Sequence, residues 1–281
     1  MYNVGFIGLG KIGYNLALNI NKKYNTHVWN RTSIIAKEHH AKYNTNFVSN
    51  LNELSCCNII FLCLPTHIEV NEIITKLLPN LKKQTTLIDC TSSDYKKQIE
   101  IYNKLKAHNI NYFDAPVSGG PEKAKLGNIT CMISGDKDKY TEIEKVFNSF
   151  SNPRFVGKIG SASAIKSINN ILNVSHLCLA AEALQSLENI GIDRNIALNV
   201  INKSSGRSLM TEERIPKHII ENNYNYGFSL GLMNKDVSLA LQIIKNPVMF
   251  SNISLLLNNS LTKYGKNADY TEITKLYFNK K

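Results

Sequence analysis

The stretch that most constrains this chain lies at its start. Residues 2–7, Tyr-Asn-Val-Gly-Phe-Ile, read as a short apolar strand, and Gly8-Leu9-Gly10-Lys11-Ile12-Gly13 leads from it into an amphipathic helical segment over 12–22. Between a strand and a helix, a G-x-G-x-x-G pattern gives each glycine a task. The first permits a tight turn, the second admits a pyrophosphate to the backbone, and the third lets the helix pack on the strand. The positive end of the helix then faces the phosphates. Such a loop can also be no more than a tight connection, but in this context it predicts a dinucleotide-binding unit.

Strand-like runs recur at 26–29, 46–48, 58–64, 85–89 and 111–113 with helical segments between them, and two more strands are expected at 127–134 and 154–156 around a helix over 139–150. This alternation is the pattern of a doubly wound parallel sheet, which binds ligands beyond the carboxyl ends of its strands. Leu64-Pro65-Thr66, the 89–93 segment with Ser92, and the 114–120 segment stand at such ends. Near 157–160 the strand signals stop, and helical patterns take over at 162–190, 193–203, 231–245 and 250–264. The expected architecture is an α/β domain over 1–159 and an all-α domain over 160–281, joined by a long helix.

That helix, within 160–191, carries apolar residues on most of its circumference and is expected to be buried nearly all round. Its first turns also bear Lys166, Asn169, Asn170 and Asn173, which are costly to bring inside without partners or a cleft. Lys166 and Asn170 are four apart and share a face. Either this face looks into an active site, with Lys166 moving a proton and Asn170 beside it, or Lys166 merely reaches past apolar neighbours to water.

Two loops indicate what the site would hold. The 26–29 strand ends in Asn30-Arg31-Thr32, where a site for NAD normally has an acid for the ribose 2′-hydroxyl. Arg31 can instead bind a 2′-phosphate, with the Thr32 hydroxyl and the Asn30 amide, so NADP(H) is expected over NAD(H); the alternative is an ordinary surface charge. In Ser118-Gly119-Gly120, backbone N–H groups can converge with a hydroxyl on a carboxylate, unless the glycines serve only the turn.

Bulk properties exclude other classes. The net charge of +11 is spread over scattered lysine pairs rather than one basic block, so nucleic acid is not an expected partner, while anionic small molecules are favoured. No apolar run approaches the roughly 18–20 residues that span a bilayer. The chain enters its first strand at once, with no signal-like segment, and a cytoplasmic enzyme is expected. The six cysteines show no C-x-x-C spacing, so reduced, mostly buried thiols are expected, without a metal site.

GLGKIGYNLALNI (8–20), CLP (63–65), DAPVSGGPEKAKLGNIT (114–130), GSASAIKSINN (160–170) and FSLGLMNKDVSLA (228–240) stand in the order found in the β-hydroxyacid dehydrogenase family. The chain resembles that family from Gly8 to about Asp269, and DAPVSGG with Lys-x-x-Asn-Asn is the specific part. The resemblance implies a Rossmann-type cofactor domain and hydride transfer between NADP(H) and a short β-hydroxyacid or semialdehyde. It makes Lys166 the general acid/base, Asn170 a substrate-orienting group, and Ser118, Gly119 and Gly120 the carboxylate holders. Gly8, Leu9, Gly10, Lys11, Ile12, Gly13, Asn30, Arg31, Thr32, Leu64, Pro65 and Ser92 would line the cofactor, with Lys235 closing over it. By itself Lys235-Asp236 reads as a helix-surface ion pair.

Departures are Ala162 in place of a second glycine, Thr91-Ser92 in place of a serine-threonine pair, and the 269–272 stretch. A 6-phosphogluconate-type decarboxylating dehydrogenase, an imine reductase or a non-catalytic oligomerisation module are the alternatives. The mostly apolar helical half implies a homodimer or homotetramer.

Overall fold

The computed structural model describes residues 2–278. The chain divides into two compact units, Met1–Lys166 and Ser167–Lys281. The first is built on a nine-stranded sheet. Strands β1 (Asn3–Ile7), β2 (Asn25–Trp29), β3 (Asn46–Phe47), β4 (Ile59–Leu62), β5 (Thr86–Asp89) and β6 (Asn111–Asp114) are parallel and lie in the order β3-β2-β1-β4-β5-β6. Helices α1 (Gly13–Asn21), α2 (Ser33–Tyr43), α3 (His67–Leu77) and α4 (Tyr95–Lys106) make the crossovers.

Side chains alternate across this sheet with the two-residue strand period. Val4, Phe6, Ile59 and Phe61 enter one buried layer with Phe113, Phe147 and Phe150, whereas Ile7, Ile60 and Leu62 enter the other with Ile74 and Leu87. Beyond β6, a short β7 (Val117–Ser118) and α5 (Gly120–Lys125) lead to β8 (Ile129–Ser134), which runs antiparallel to β6 and β7. After α6 (Lys137–Phe147), β9 (Ser151–Gly157) joins β8 in parallel.

Helix α7 (Ser161–Asn189) starts in this unit and continues unbroken into the second. It is not buried nearly all round. Ile171, Val174, Leu177, Cys178, Ala181 and Leu184 are buried, but Ile165, Leu172 and Leu179, spaced by seven, are 44%, 40% and 54% exposed. Seven residues are almost two turns, so these apolar residues form a stripe on the chain's surface.

The second unit also contains α8 (Arg194–Ile201), a π-helical segment (Met210–Ile220), α9 (Leu230–Leu241) and α10 (Phe250–Tyr264). Its core combines the buried side of α7 with Met210, Ile215, Leu230, Met233, Val237, Leu257 and Tyr270. Arg214 lies inside this unit, with its guanidinium carbon 3.3 Å from the centre of the Tyr226 ring, a cation–π contact that offsets part of the burial of its charge. The 269–272 stretch serves this packing. Asp269 Oδ2 accepts from Gly227 N at 2.7 Å and its Oδ1 from Thr271 N at 3.1 Å, while the Tyr270 ring lies edge-on to Tyr226 and Phe228. Among the described residues no helix is long and apolar enough to cross a membrane.

Candidate active site

The glycine loop leaves the carboxyl end of β1, and its backbone explains its residues. Gly8 has φ +97°, and a Cβ there would stand 2.3 Å from Cys63 O on the neighbouring strand end. Only glycine meets both demands. Gly13 opens α1, where a Cβ would lie 2.0 Å from Gly8 O. Gly10 differs, because a Cβ there would meet nothing within 4 Å. Open space above the middle glycine, at the head of a helix, is the cradle a pyrophosphate needs, so these residues fit a dinucleotide cofactor.

Asn30 ties this loop to the end of β2. Its Oδ1 accepts from Leu9 N at 2.9 Å, and its Nδ2 donates to Thr32 O at 3.1 Å. Arg31 and Thr32 are exposed just before α2, and Lys11 is exposed on the glycine loop. Arg31 is also close enough to α3 to act on Glu69. Burial opposes ionisation of that carboxyl, but hydrogen bonds from Thr66 and the charge of Arg31 outweigh it and hold Glu69 below the usual range. At the end of β4, Leu64 N donates to Thr91 Oγ1 at 3.0 Å, and Thr91 N in turn donates to Asp89 Oδ1 at 2.9 Å. Leu64 and Ser92 are half-buried there, and Pro65 is exposed. Asp89 also accepts from Gln98 Nε2 at 2.9 Å, and the Tyr112 hydroxyl lies 3.1 Å from the same carboxylate. Burial nevertheless raises its pKa.

The last strand end holds a second buried carboxylate. Asp114 Oδ2 accepts from Ser163 N at 2.9 Å and from Ser134 Oγ at 3.1 Å, and Oδ1 accepts from Ser163 Oγ at 2.7 Å. Ala162 N donates to Ser134 Oγ at 3.3 Å, so strand β6 anchors the first turn of α7 through its otherwise unpaired amides. Burial dominates its titration and pushes the Asp114 carboxyl up to about 7, against the hydrogen bonds from Ser163 and Ser134. Half-buried Ser118 ends β7, and Gly119 (φ +145°) and Gly120 (φ +76°) turn the chain into α5.

Lys166 lies on α7 one turn beyond this anchor and is 8% exposed. In the helical unit, Asn170 Nδ2 donates to Asp236 Oδ2 at 2.6 Å. Lys235 Nζ is 3.2 Å from Asp236 Oδ1, and Asp236 is 1% exposed. The Lys235-Asp236 pair is therefore no surface pair: its acid is buried and holds Asn170. Sequence reasoning missed the parts played by Asp236 and Asp114. The available signals were a buried-looking acid inside the apolar 228–240 pattern and an acid at a strand end that matches a serine at a helix start.

Residues 3–165 match a family described as the NAD binding domain of 6-phosphogluconate dehydrogenase, and residues 160–277 match one described as the NAD-binding part of NADP-dependent 3-hydroxyisobutyrate dehydrogenase. Over 249 residues the chain is 29% identical to the 2-(hydroxymethyl)glutarate dehydrogenase of Eubacterium barkeri, covering 85% of this chain and 81% of that one. Over 265 residues it is 29% identical to the mitochondrial 3-hydroxyisobutyrate dehydrogenase of Homo sapiens, covering 89% and 79%. In fold it is similar to a Mycobacterium tuberculosis 3-hydroxyisobutyrate dehydrogenase solved with L-serine, at a TM-score of 0.90 and 21% identity over 98% of this chain and 99% of that one. With a nucleotide-binding loop built as described and both halves matched, the chain belongs to the β-hydroxyacid dehydrogenase family, NAD(P)-dependent oxidoreductases acting on CH–OH groups.

Proposed function

We propose that the protein interconverts a short β-hydroxyacid and its semialdehyde with NADP(H), using Lys166 as the proton donor and acceptor. The observation that carries this reading is a lysine only 8% exposed on α7, one turn before an asparagine whose amide is fixed by a buried carboxylate. Charged side chains are rarely kept so far from water unless they are paired or used.

When bound, the nicotinamide supplies or takes the hydride. Lys166 gives a proton to the developing alkoxide during reduction and removes it during oxidation, and its positive charge stabilises the oxyanion between these states. Ser118 with the backbone of Gly119 and Gly120 holds the substrate carboxylate. Asn170, fixed by Asp236, orients the reacting oxygen. Gly8 to Gly13, Leu64, Pro65, Ser92 and Lys235 line the cofactor, and Asn30, Arg31 and Thr32 take its 2′-phosphate, because no acid stands at the end of β2 to favour a free 2′-hydroxyl. The compounds for which the two relatives are named share a hydroxymethyl group on the carbon that bears a carboxylate, which supports a substrate of this shape.

The same reading makes the protein a homodimer or homotetramer. Its support is the exposed Ile165-Leu172-Leu179 stripe; Ile196 and Val200 of α8 are further exposed apolar residues. A two-fold pairing would cover it with the identical stripe of a second copy.

The test follows NADPH and NADH absorbance with the full chain against short semialdehydes and hydroxyacids. Lys166→Ala is expected to lower kcat by about 10²–10⁴-fold while NADPH still binds. A variant turning over at the native rate removes the lysine from this role.

A further inference from the structure

Among the described residues, one group of three metal-ligating side chains draws together: His27, Cys56 and Cys57, whose ligand atoms all lie within 4.8 Å of one another. His27 is the middle residue of β2, on the sheet face that also carries Trp29. The cysteines close the 3-10 helix Leu51–Cys56, which a reciprocal cap between Asn50 and Glu53 holds in place. No C-x-x-C spacing announces this group, because one ligand arrives from β2, far from the cysteines in the chain. It lies apart from the nucleotide loop. Cys57 precedes the amino end of β4, whereas the glycine loop follows the carboxyl end of the parallel β1.

We propose that His27, Cys56 and Cys57 bind one thiophilic cation, copper(I), in a three-coordinate site. The two sulfurs are 3.9 Å apart. Two thiolates at about 2.3 Å from one ion, an ordinary metal–sulfur length, have this separation at the wide angle of trigonal coordination. Soft thiolates with an imidazole favour copper(I), zinc or iron–sulfur chemistry over hard cations. Structural zinc takes a fourth ligand, and the nearby acid is engaged elsewhere: Glu53 Oε1 accepts from Ser49 N, Ser49 Oγ and Asn50 N at 3.0, 2.9 and 2.8 Å.

The surroundings suit a site that fills by exchanging protons for metal. The His27 ring supplies an imidazole nitrogen, a common metal ligand. Binding releases both thiol protons to solvent as two thiolate–metal bonds form, with no change of oxidation state. The weak Cys56 Sγ contact to Glu53 O at 3.2 Å is given up when its proton leaves. Cys56 is exposed, which gives the ion an entry path.

The test is an anaerobic titration of the full chain with copper(I) against a chromophoric copper(I) chelator, with zinc(II) in parallel. One copper per chain is expected, with thiolate-to-copper absorption in the near ultraviolet and NADPH affinity unchanged. Cys56→Ser and His27→Gln should each weaken binding by at least about 100-fold, the upper limit of losing an outer-shell partner alone. Matched thermal unfolding of both variants establishes that the fold is kept. Copper held equally well by either variant, several coppers spread over the thiols, or zinc bound in preference would overturn the proposal.

Discussion

At the scale of single residues, the three glycines of the loop make separable predictions. Gly13→Ala puts a methyl 2.0 Å from Gly8 O, so α1 must move away from β1. A loss of about 1–3 kcal/mol is expected, the usual cost of overpacking, read as a fall of several degrees in Tm. Gly10→Ala meets nothing within 4 Å and should leave Tm unchanged while sharply weakening NADPH binding, because the methyl fills the cradle. If both variants bind and melt like the native protein, the loop does not hold the cofactor. Arg31→Asp should weaken NADPH about 10–100-fold more than NADH, the worth of charged hydrogen bonds to a phosphate; equal weakening of the two would count against a 2′-phosphate site. The loop residues were legible because each glycine answers a local backbone demand. Asp114 and Asp236 were not, because their partners Ser163 and Asn170 lie far along the chain.

At the scale of elements, the anchoring of α7 by Asp114 makes stability depend on pH. The folded-state carboxyl titrates at about 7, against about 3.9 for a free Asp, so the folded chain holds this proton more tightly than the unfolded one. The contribution is complete below about pH 4 and is lost as pH rises through about 7. Thermal unfolding between these limits should show this fall in the native protein and a flatter profile in Asp114→Asn; parallel profiles would mean that the group is ionised throughout. Most elements could be read from periodicity, since Val4, Phe6, Ile59 and Phe61 alternate as strand residues on a two-sided sheet and α7 repeats its buried positions at helical steps. The Met210–Ile220 segment could not. Pro216 inside it reads as a helix breaker, and the π-helical turn that accommodates it is set by packing of Met210, Ile215 and Ile219 in the core.

At the scale of the whole molecule, the stripe on α7 also shows where pattern alone misled. An apolar helix face looks the same in sequence whether its own chain or another copy covers it, and here Leu172 and Leu179 remain exposed on one chain. Leu172→Glu with Leu179→Glu should yield a monomer by light scattering at a concentration where the native chain is a dimer or tetramer, with little change in the fold's own stability. A native chain already monomeric there would remove the oligomer from the proposed function. The strand order has a further consequence, for how the molecule comes into being. Strand β1 lies between β2 and β4, pairing Val4 with both Thr26 and Ile59. Strand β1 leaves the ribosome before β4, so it waits for β4 before both its edges are satisfied. Such distant pairings are slow to find, so the glycine turn that follows β1 acquires its final shape late, and nascent chains expose an unpaired strand edge until then.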